Sequence, residues 1–140
     1  MVSLAGSALM KIGEDDIVYN PLPLYHSAGG MLGTSGPLCH GYSAVLRKKF
    51  SATAYWPDCI KYNCTAGQYI GEMCRYILMV PPKPEDTQHK VKFLFGNGMR
   101  TSIWQEFTNR FNIENIYEFY GSTEGNANIG KLNQTFTGFN

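Results

Sequence analysis

The sequence predicts an α/β fold, a mostly parallel sheet with helices on its faces. Three observations support this. Short β-branched and aromatic runs recur at Ile17-Val18-Tyr19, Tyr42-Ser43-Ala44-Val45-Leu46, Thr65-Ala66-Gly67-Gln68-Tyr69-Ile70, Val91-Lys92-Phe93-Leu94-Phe95 and Ile116-Tyr117-Glu118-Phe119-Tyr120. The segments between them carry helix caps or helical spacing, so the order reads β-α-β-α-β-α-β-α-β, the alternation of a parallel sheet. Two of the runs stop at glycine, before Gly96-Asn97-Gly98 and Gly121-Ser122-Thr123-Glu124. Strands of open α/β sheets end this way at the edge where ligands sit.

The first strand closes at Asn20-Pro21-Leu22-Pro23-Leu24, because proline lacks the donor a central ladder needs. Ser27 is placed to cap a helix towards Leu38, and its glycines allow another backbone or a ligand to come close. After the second strand, a helix runs to Tyr62 from a cap at Ser51, or starts near Trp56 with Pro57 in its first turn. Gly71 opens the next helix, through Met79. Met73, Ile77 and Val80 mark its buried stripe by their i, i+4, i+7 spacing. Pro81-Pro82-Lys83-Pro84-Glu85-Asp86 reads as a loop without regular structure. The last helix takes Thr101 or Ser102 as its cap. Ser102 and Gln105 match a capping box, and Ile103, Phe107, Arg110 and Phe111 lie on the inner face.

Composition narrows the function classes. The 140 residues are 44% hydrophobic and 16% charged, enough for one ordinary core. A net charge of +1 argues against nucleic acid as the main partner, and Arg47-Lys48-Lys49 reads as a solvated strand end. No apolar run is long enough to span a bilayer, and the N-terminus lacks the positive region of a signal peptide. Cys39, Cys59, Cys64 and Cys74 show no zinc or C-x-x-C spacing and are expected as buried free thiols.

Chemistry gathers at the two glycine ends. Consecutive parallel strands joined by one helix bring both to the same edge. Glycine admits a planar base, Tyr120 could stack on it, Thr123 could donate to a phosphate oxygen, and Glu124 suits a hard divalent cation. Two unrelated tight turns would leave the same pattern. There is no complete G-x-G-x-x-G fingerprint and no G-x-x-x-x-G-K-[ST] loop. His26 reads either as a polar gate to a cleft or as a structural histidine. Gln68, Tyr69 and Gly71 either line an apolar tunnel or belong to a core strand running into a helix.

Tyr120-Gly121-Ser122-Thr123-Glu124 resembles the Y-G-x-T-E motif of adenylate-forming acyl-CoA synthetases. Further segments resemble the fatty acid transport protein branch, the very-long-chain acyl-CoA synthetases. They are Leu22-Pro23-Leu24-Tyr25-His26-Ser27-Ala28-Gly29, Leu46-Arg47-Lys48-Lys49-Phe50-Ser51-Ala52, Lys61-Tyr62-Asn63-Cys64-Thr65, Gln68-Tyr69-Ile70-Gly71-Glu72 and Gly96-Asn97-Gly98. The resemblance covers roughly residues 14 to 130.

This resemblance implies a ligase that joins a fatty acid to coenzyme A at the expense of ATP, with Mg2+, coupled to fatty acid uptake. Gly96, Asn97 and Gly98 would pack against adenine, with Tyr120 stacked near it and Gly121 and Ser122 in the same nucleotide-binding turn. Thr123 and Glu124 would be catalytic, at the α-phosphate and as the magnesium ligand. His26 would lie near the acyl entrance, with Gln68, Tyr69 and Gly71 as further acyl candidates. The resemblance also implies association with the endoplasmic reticulum or plasma membrane, with this domain on the cytosolic side.

By the same resemblance, residues 1–140 are a partial AMP-binding domain, an internal piece of the large N-terminal domain. The phosphate loop and the C-terminal lysine domain are absent, and the isolated chain is expected to be inactive. A non-catalytic fatty acid binding or transport module is the alternative. Ser122 and Gly125 replace the branch's usual alanine and cysteine. Gly30 and Ala66-Gly67 replace larger residues, which would widen an acyl tunnel if they line one.

Overall fold

A computed structural model describes residues 12–120 and 129–133. Its core is a six-stranded sheet in the order β2-β1-β3-β4-β5-β6. The strands are β1 (Ile17–Asn20), β2 (Ser43–Leu46), β3 (Ala66–Ile70), β4 (Phe93–Asn97), β5 (Asn115–Tyr120) and β6 (Ile129–Asn133). The first five are parallel, and β6 returns antiparallel to β5. The expected alternation therefore stands, with one antiparallel strand added.

The helix α1 (27–40) joins β1 to β2. It is a single right-handed run whose middle turn, Met31–Ser35, is π-helical, between Ser27–Gly30 and Gly36–His40. Gly41, at a φ of 76°, ends it in the left-handed region, where glycine carries no Cβ penalty. Then come α2 (Tyr55–Lys61), α3 (Gly71–Met79), α4 (Glu85–Gln88) and α5 (Thr101–Phe111). Pro57 lies in the first turn of α2, so the later of the two expected starts is the one adopted.

Strand alternation divides the core in two. On one face Tyr19, Tyr69, Leu94 and Ile116 meet Tyr55, Trp56 and Cys59 of α2, Cys74 and Ile77 of α3, and Phe107 and Phe111 of α5. On the other, Val18, Ala66 and Phe95 meet Leu32 of α1 and Tyr42. Trp56 centres the larger cluster. It stacks on His89 at 4.2 Å between ring centroids and lies 4.9 Å from Phe111. The α3 stripe is buried at Met73 and Ile77 as expected, with Cys74 beside them and Val80 half-buried.

Several local expectations need correction. His26, not Ser27, caps α1: its Nδ1 accepts from the Ala28 N–H at 3.4 Å. Arg100 is the extended residue before α5, so Thr101 and Ser102 are already helical, and Gln105 bonds Asn109 instead of closing a capping box. The proline-rich segment carries the short helix α4, since Pro84 sits at its N-cap, where no donor is needed. Asp86 of α4 is buried and accepts from Arg110 Nε at 2.9 Å. The strand expected at 91–95 runs instead from Phe93 through Gly96 to Asn97. Cys59, Cys64 and Cys74 are buried free thiols, but Cys39 is exposed near the end of α1.

Candidate functional site

The carboxyl edge of the sheet collects the ends of β3, β4 and β5. There Gly96 pairs in register with Tyr69 on one side and Glu118 on the other, so these three residues form a row across three strands. Gly96 is buried. A Cβ on it would lie 2.2 Å from the Tyr69 carbonyl oxygen and 2.9 Å from Tyr69 Cδ1. The bare glycine lets the tyrosine ring pass along the row, and the Tyr69 hydroxyl donates to Glu118 Oε1 at 2.9 Å. The same oxygen accepts the backbone N–H of Met99 at 2.7 Å. Burial first, and the Glu118 charge next, hold the Tyr69 hydroxyl protonated far above a tyrosine's usual range.

One residue past β4, Gly98 adopts a φ of 77°. It is exposed, and no described residue stands within 4 Å of the position a Cβ would take. The turn thus offers an open stretch of backbone at the ligand edge, as a flat ring would need. Gly71, the first residue of α3, supports it from behind. A Cβ on Gly71 would fall 1.7 Å from the Gly98 carbonyl oxygen. Asn97 is exposed at the strand end.

A second group forms where β1 and β3 meet α1. Two fully buried amides hold the first turn of this helix. Gln68 Nε2 donates to the Ala28 carbonyl at 2.8 Å, and Asn20 Nδ2 donates to the Gly29 carbonyl at 2.9 Å. Gln68 Oε1 has no hydrogen-bond partner among the described residues. Gly33 makes room for Asn20, since a Cβ there would fall 1.9 Å from Nδ2. Gly29 and Gly30 press on Pro23 and Leu24, whose carbonyl oxygens would lie 2.3 and 2.5 Å from added Cβ atoms. His26 is exposed at the start of α1, beside the almost fully exposed Tyr25.

The expected site residues therefore separate. His26 and Gln68 meet at Ala28, one on its N–H and the other on its carbonyl. Tyr69 points to the opposite face of β3 and meets Glu118. Gly71 packs on Gly98, so the four acyl candidates do not line one surface. Other groups stand close to Gly30 and Gly67. The space at Gly30 is filled by Leu24, and that at Gly67 by the Tyr55 hydroxyl (2.4 Å) and Leu94 (2.8 Å). Tyr120 ends β5 and pairs with Ile129. Gly121, Ser122, Thr123 and Glu124 lie outside the described residues. Among the described residues no group of three or more His, Cys, Asp and Glu could hold a metal. The magnesium expectation rests on Glu124 alone.

Asn20 and Gln68 form buried hydrogen bonds at the edge and Glu118 half-buried ones, yet sequence reasoning gave two of the three no role. The signal was available: each is a polar residue inside an otherwise apolar strand. Glu118 shares strand parity with the buried Ile116, so its carboxylate must find donors.

A family model described as AMP-binding enzyme matches residues 1–136. The chain is 53% identical over 117 residues to long-chain fatty acid transport protein 1 of Bos taurus, covering 84% of this chain and 18% of that protein. It is 52% identical over 127 residues to the Homo sapiens protein of the same name (91% and 20%), and 52% over 122 residues to long-chain fatty acid transport protein 2 of Rattus norvegicus (87% and 19%). The chain thus spans about a fifth of the length of these relatives. Among solved structures, the inhibitor-bound N-terminal domain of FACL13 from Mycobacterium tuberculosis superposes with a TM-score of 0.78 at 18% identity, covering 88% of this chain and 31% of that one. ATP-bound MatB from Rhodopseudomonas palustris superposes at 0.79 and 18% identity (93% and 26%). At that identity these two matches speak for the fold.

Proposed function

The chain belongs to the AMP-binding enzyme family, and from that premise we propose that it forms one wall of the nucleotide site of an ATP-dependent fatty acyl-CoA ligase coupled to fatty acid uptake. The observation that carries this reading is the open, left-handed Gly98 at the carboxyl edge of β4, next to the strand that ends at Tyr120. Similarity of about half the residues to long-chain fatty acid transport proteins supports the substrate class.

In this reading the fatty acid carboxylate oxygen attacks the α-phosphorus of ATP and pyrophosphate leaves. The thiol of coenzyme A then attacks the acyl carbonyl and AMP leaves. The work of the chain is to bind, align and stabilise charge, with no protein nucleophile. Gly98 presents backbone to the adenine, with Asn97 beside it and Tyr120, Gly121 and Ser122 completing the turn. Thr123 would donate to the α-phosphate, and Glu124 would hold the magnesium. That ion would neutralise developing phosphate charge. Gly96 supports this wall through Tyr69. His26 and Gln68 belong to the acyl side.

The reading takes residues 1–140 as one part of the large domain of a protein of the relatives' length. The phosphate loop and the lysine-bearing domain are supplied by other segments of that protein. No helix among the described residues is long and apolar enough to cross a membrane. Association with the endoplasmic reticulum or plasma membrane, this domain cytosolic, would rest on those other segments.

The test is acyl-CoA formation by the full-length protein that carries these residues. Activity should require fatty acid, ATP, magnesium and coenzyme A together, and Glu124→Ala should lower it on the order of 100-fold. Fatty acid binding with no nucleotide dependence would replace this reading with a non-catalytic binding or transport module.

A further inference from the structure

We propose that Glu118 is a positioning residue for the nucleotide, acting through the backbone of the Gly98 turn. The inference rests on the ligase reading for what the turn binds. The tie itself rests on the geometry of β3, β4 and β5.

Tyr69, Gly96 and Glu118 lie in one row across the sheet. Gly96 has no side chain, so the Tyr69 ring crosses it and its hydroxyl reaches Glu118 Oε1 at 2.9 Å. Tyr69 is 1% exposed, so this donor has no competing water. The same oxygen takes the Met99 N–H at 2.7 Å, the amide that leaves the turn. Met99 is 5% exposed, so its N–H has little solvent to turn to as a substitute. From the other side, Gly71 abuts the Gly98 carbonyl. The peptide that joins Gly98 to Met99 is thus held at both its carbonyl and its N–H, while no described residue covers the other side of the turn.

A short charge-assisted bond of this kind fixes the peptide plane after Gly98. That plane decides where the exposed backbone of residues 97 and 98 meets a ring lying on it. Glu118 need not touch the nucleotide. Losing its bond frees the turn and costs nucleotide affinity, leaving the groups at the phosphates in place.

The experiment uses the full-length protein with Glu118→Ala, Glu118→Gln and Gly96→Ala. Glu118→Ala should raise KM for ATP about tenfold, the scale of one charged hydrogen bond. Fatty acid KM should be unchanged and kcat within about threefold. Glu118→Gln keeps an acceptor oxygen and should restore KM to within about threefold. Gly96→Ala blocks the path of the Tyr69 ring and should reproduce the Glu118→Ala pattern without altering the carboxylate. Hydrogen exchange at the Met99 amide should speed up in Glu118→Ala and Gly96→Ala but not in Glu118→Gln.

The proposal is overturned if Glu118→Ala leaves KM for ATP unchanged, if Glu118→Gln is as impaired as Glu118→Ala, or if kcat and both KM values shift together. If Glu118→Ala fails to fold, Glu118→Gln and Gly96→Ala carry the same comparison. A wild-type protein without ligase activity would sink the ligase reading and the nucleotide role. Met99 exchange would still report on the tie by itself.

Discussion

Replacing Gly71 with alanine should dislodge the Gly98 turn while changing one methyl group. The added Cβ would stand 1.7 Å from the Gly98 carbonyl oxygen, 2.2 Å from its carbon and 2.7 Å from Met99 N. To reach even the tight limit of 3.0 Å, the carbonyl must retreat by 1.3 Å, the difference between 3.0 and 1.7. All three atoms in conflict are backbone, so no rotamer change relieves them. A retreat of that size takes Met99 N–H out of reach of Glu118, now at 2.7 Å. Losing a charged hydrogen bond costs about 1.5–3 kcal/mol, and overpacking adds about 1–3 kcal/mol. Alanine returns at most about 1 kcal/mol of helix propensity, so with that taken off the net loss should be about 1.5–5 kcal/mol.

Urea unfolding of the full-length protein measures this, with hydrogen exchange to locate the loss at 97–100. Gly13→Ala is the control. No described residue lies within 4 Å of its Cβ position, and its effect should stay within about 0.5 kcal/mol. Gly98→Ala meets no atom of a described residue but inherits the left-handed φ, at about 1–2 kcal/mol. If Gly71→Ala matches Gly13→Ala in both stability and exchange, the account of this turn is wrong.

Two further outcomes follow from the buried polar groups of the α4–α5 region. Arg110 donates to the Leu78 carbonyl at 2.7 Å, the Val80 carbonyl at 2.6 Å and Asp86 at 2.9 Å. The two charged side chains are only 17% and 10% exposed, so Asp86→Ala strands a buried guanidinium and should cost about 3 kcal/mol in urea unfolding. A cost below about 1 kcal/mol would mean the pair is solvated as a surface pair is. His89 should make stability fall in mild acid. Burial pushes its pKa below the ordinary value, against weaker raising effects of the Phe111 carbonyl and Asp86. Its Nδ1 accepts the Val91 N–H, so the ring is held neutral, with Nε2 donating to Phe111. Since the unfolded chain binds this proton more tightly, the contribution is complete above about pH 6.5 and is lost as pH falls from there towards the folded value. The urea midpoint should drop between pH 7.5 and 5.5, and His89→Gln should flatten that drop. An equal drop in both proteins removes His89 as its source.

The parallel order of β1 to β5 was legible because each strand concentrates β-branched and aromatic residues between glycine or proline stops. Residues 129–133 offered no such concentration. Gly130, Lys131 and Asn133 are poor strand formers, and pairing to the far edge of β5 makes them a strand. Caps misled for a different reason. Ser27, Thr101 and Ser102 are good caps in isolation, but neighbouring packing starts each helix one or two residues earlier, at His26 and Arg100. Within the site, Gly98 was readable as a turn glycine. Gly96 was not, because its need arises from Tyr69 on another strand, and Glu118 was hidden by the aromatic residues around it.

The seating of α1 has a mechanical consequence. Asn20 and Gln68 act as two pegs in adjacent holes, the carbonyls of Gly29 and Ala28. Sliding the helix by one residue would pull both pegs into apolar surroundings at once, so intermediate positions are penalised and the helix behaves as a keyed part rather than a sliding one. Movement at this rim then falls to the exposed side chains at its start, Tyr25 and His26 foremost, while the helix beneath them holds still.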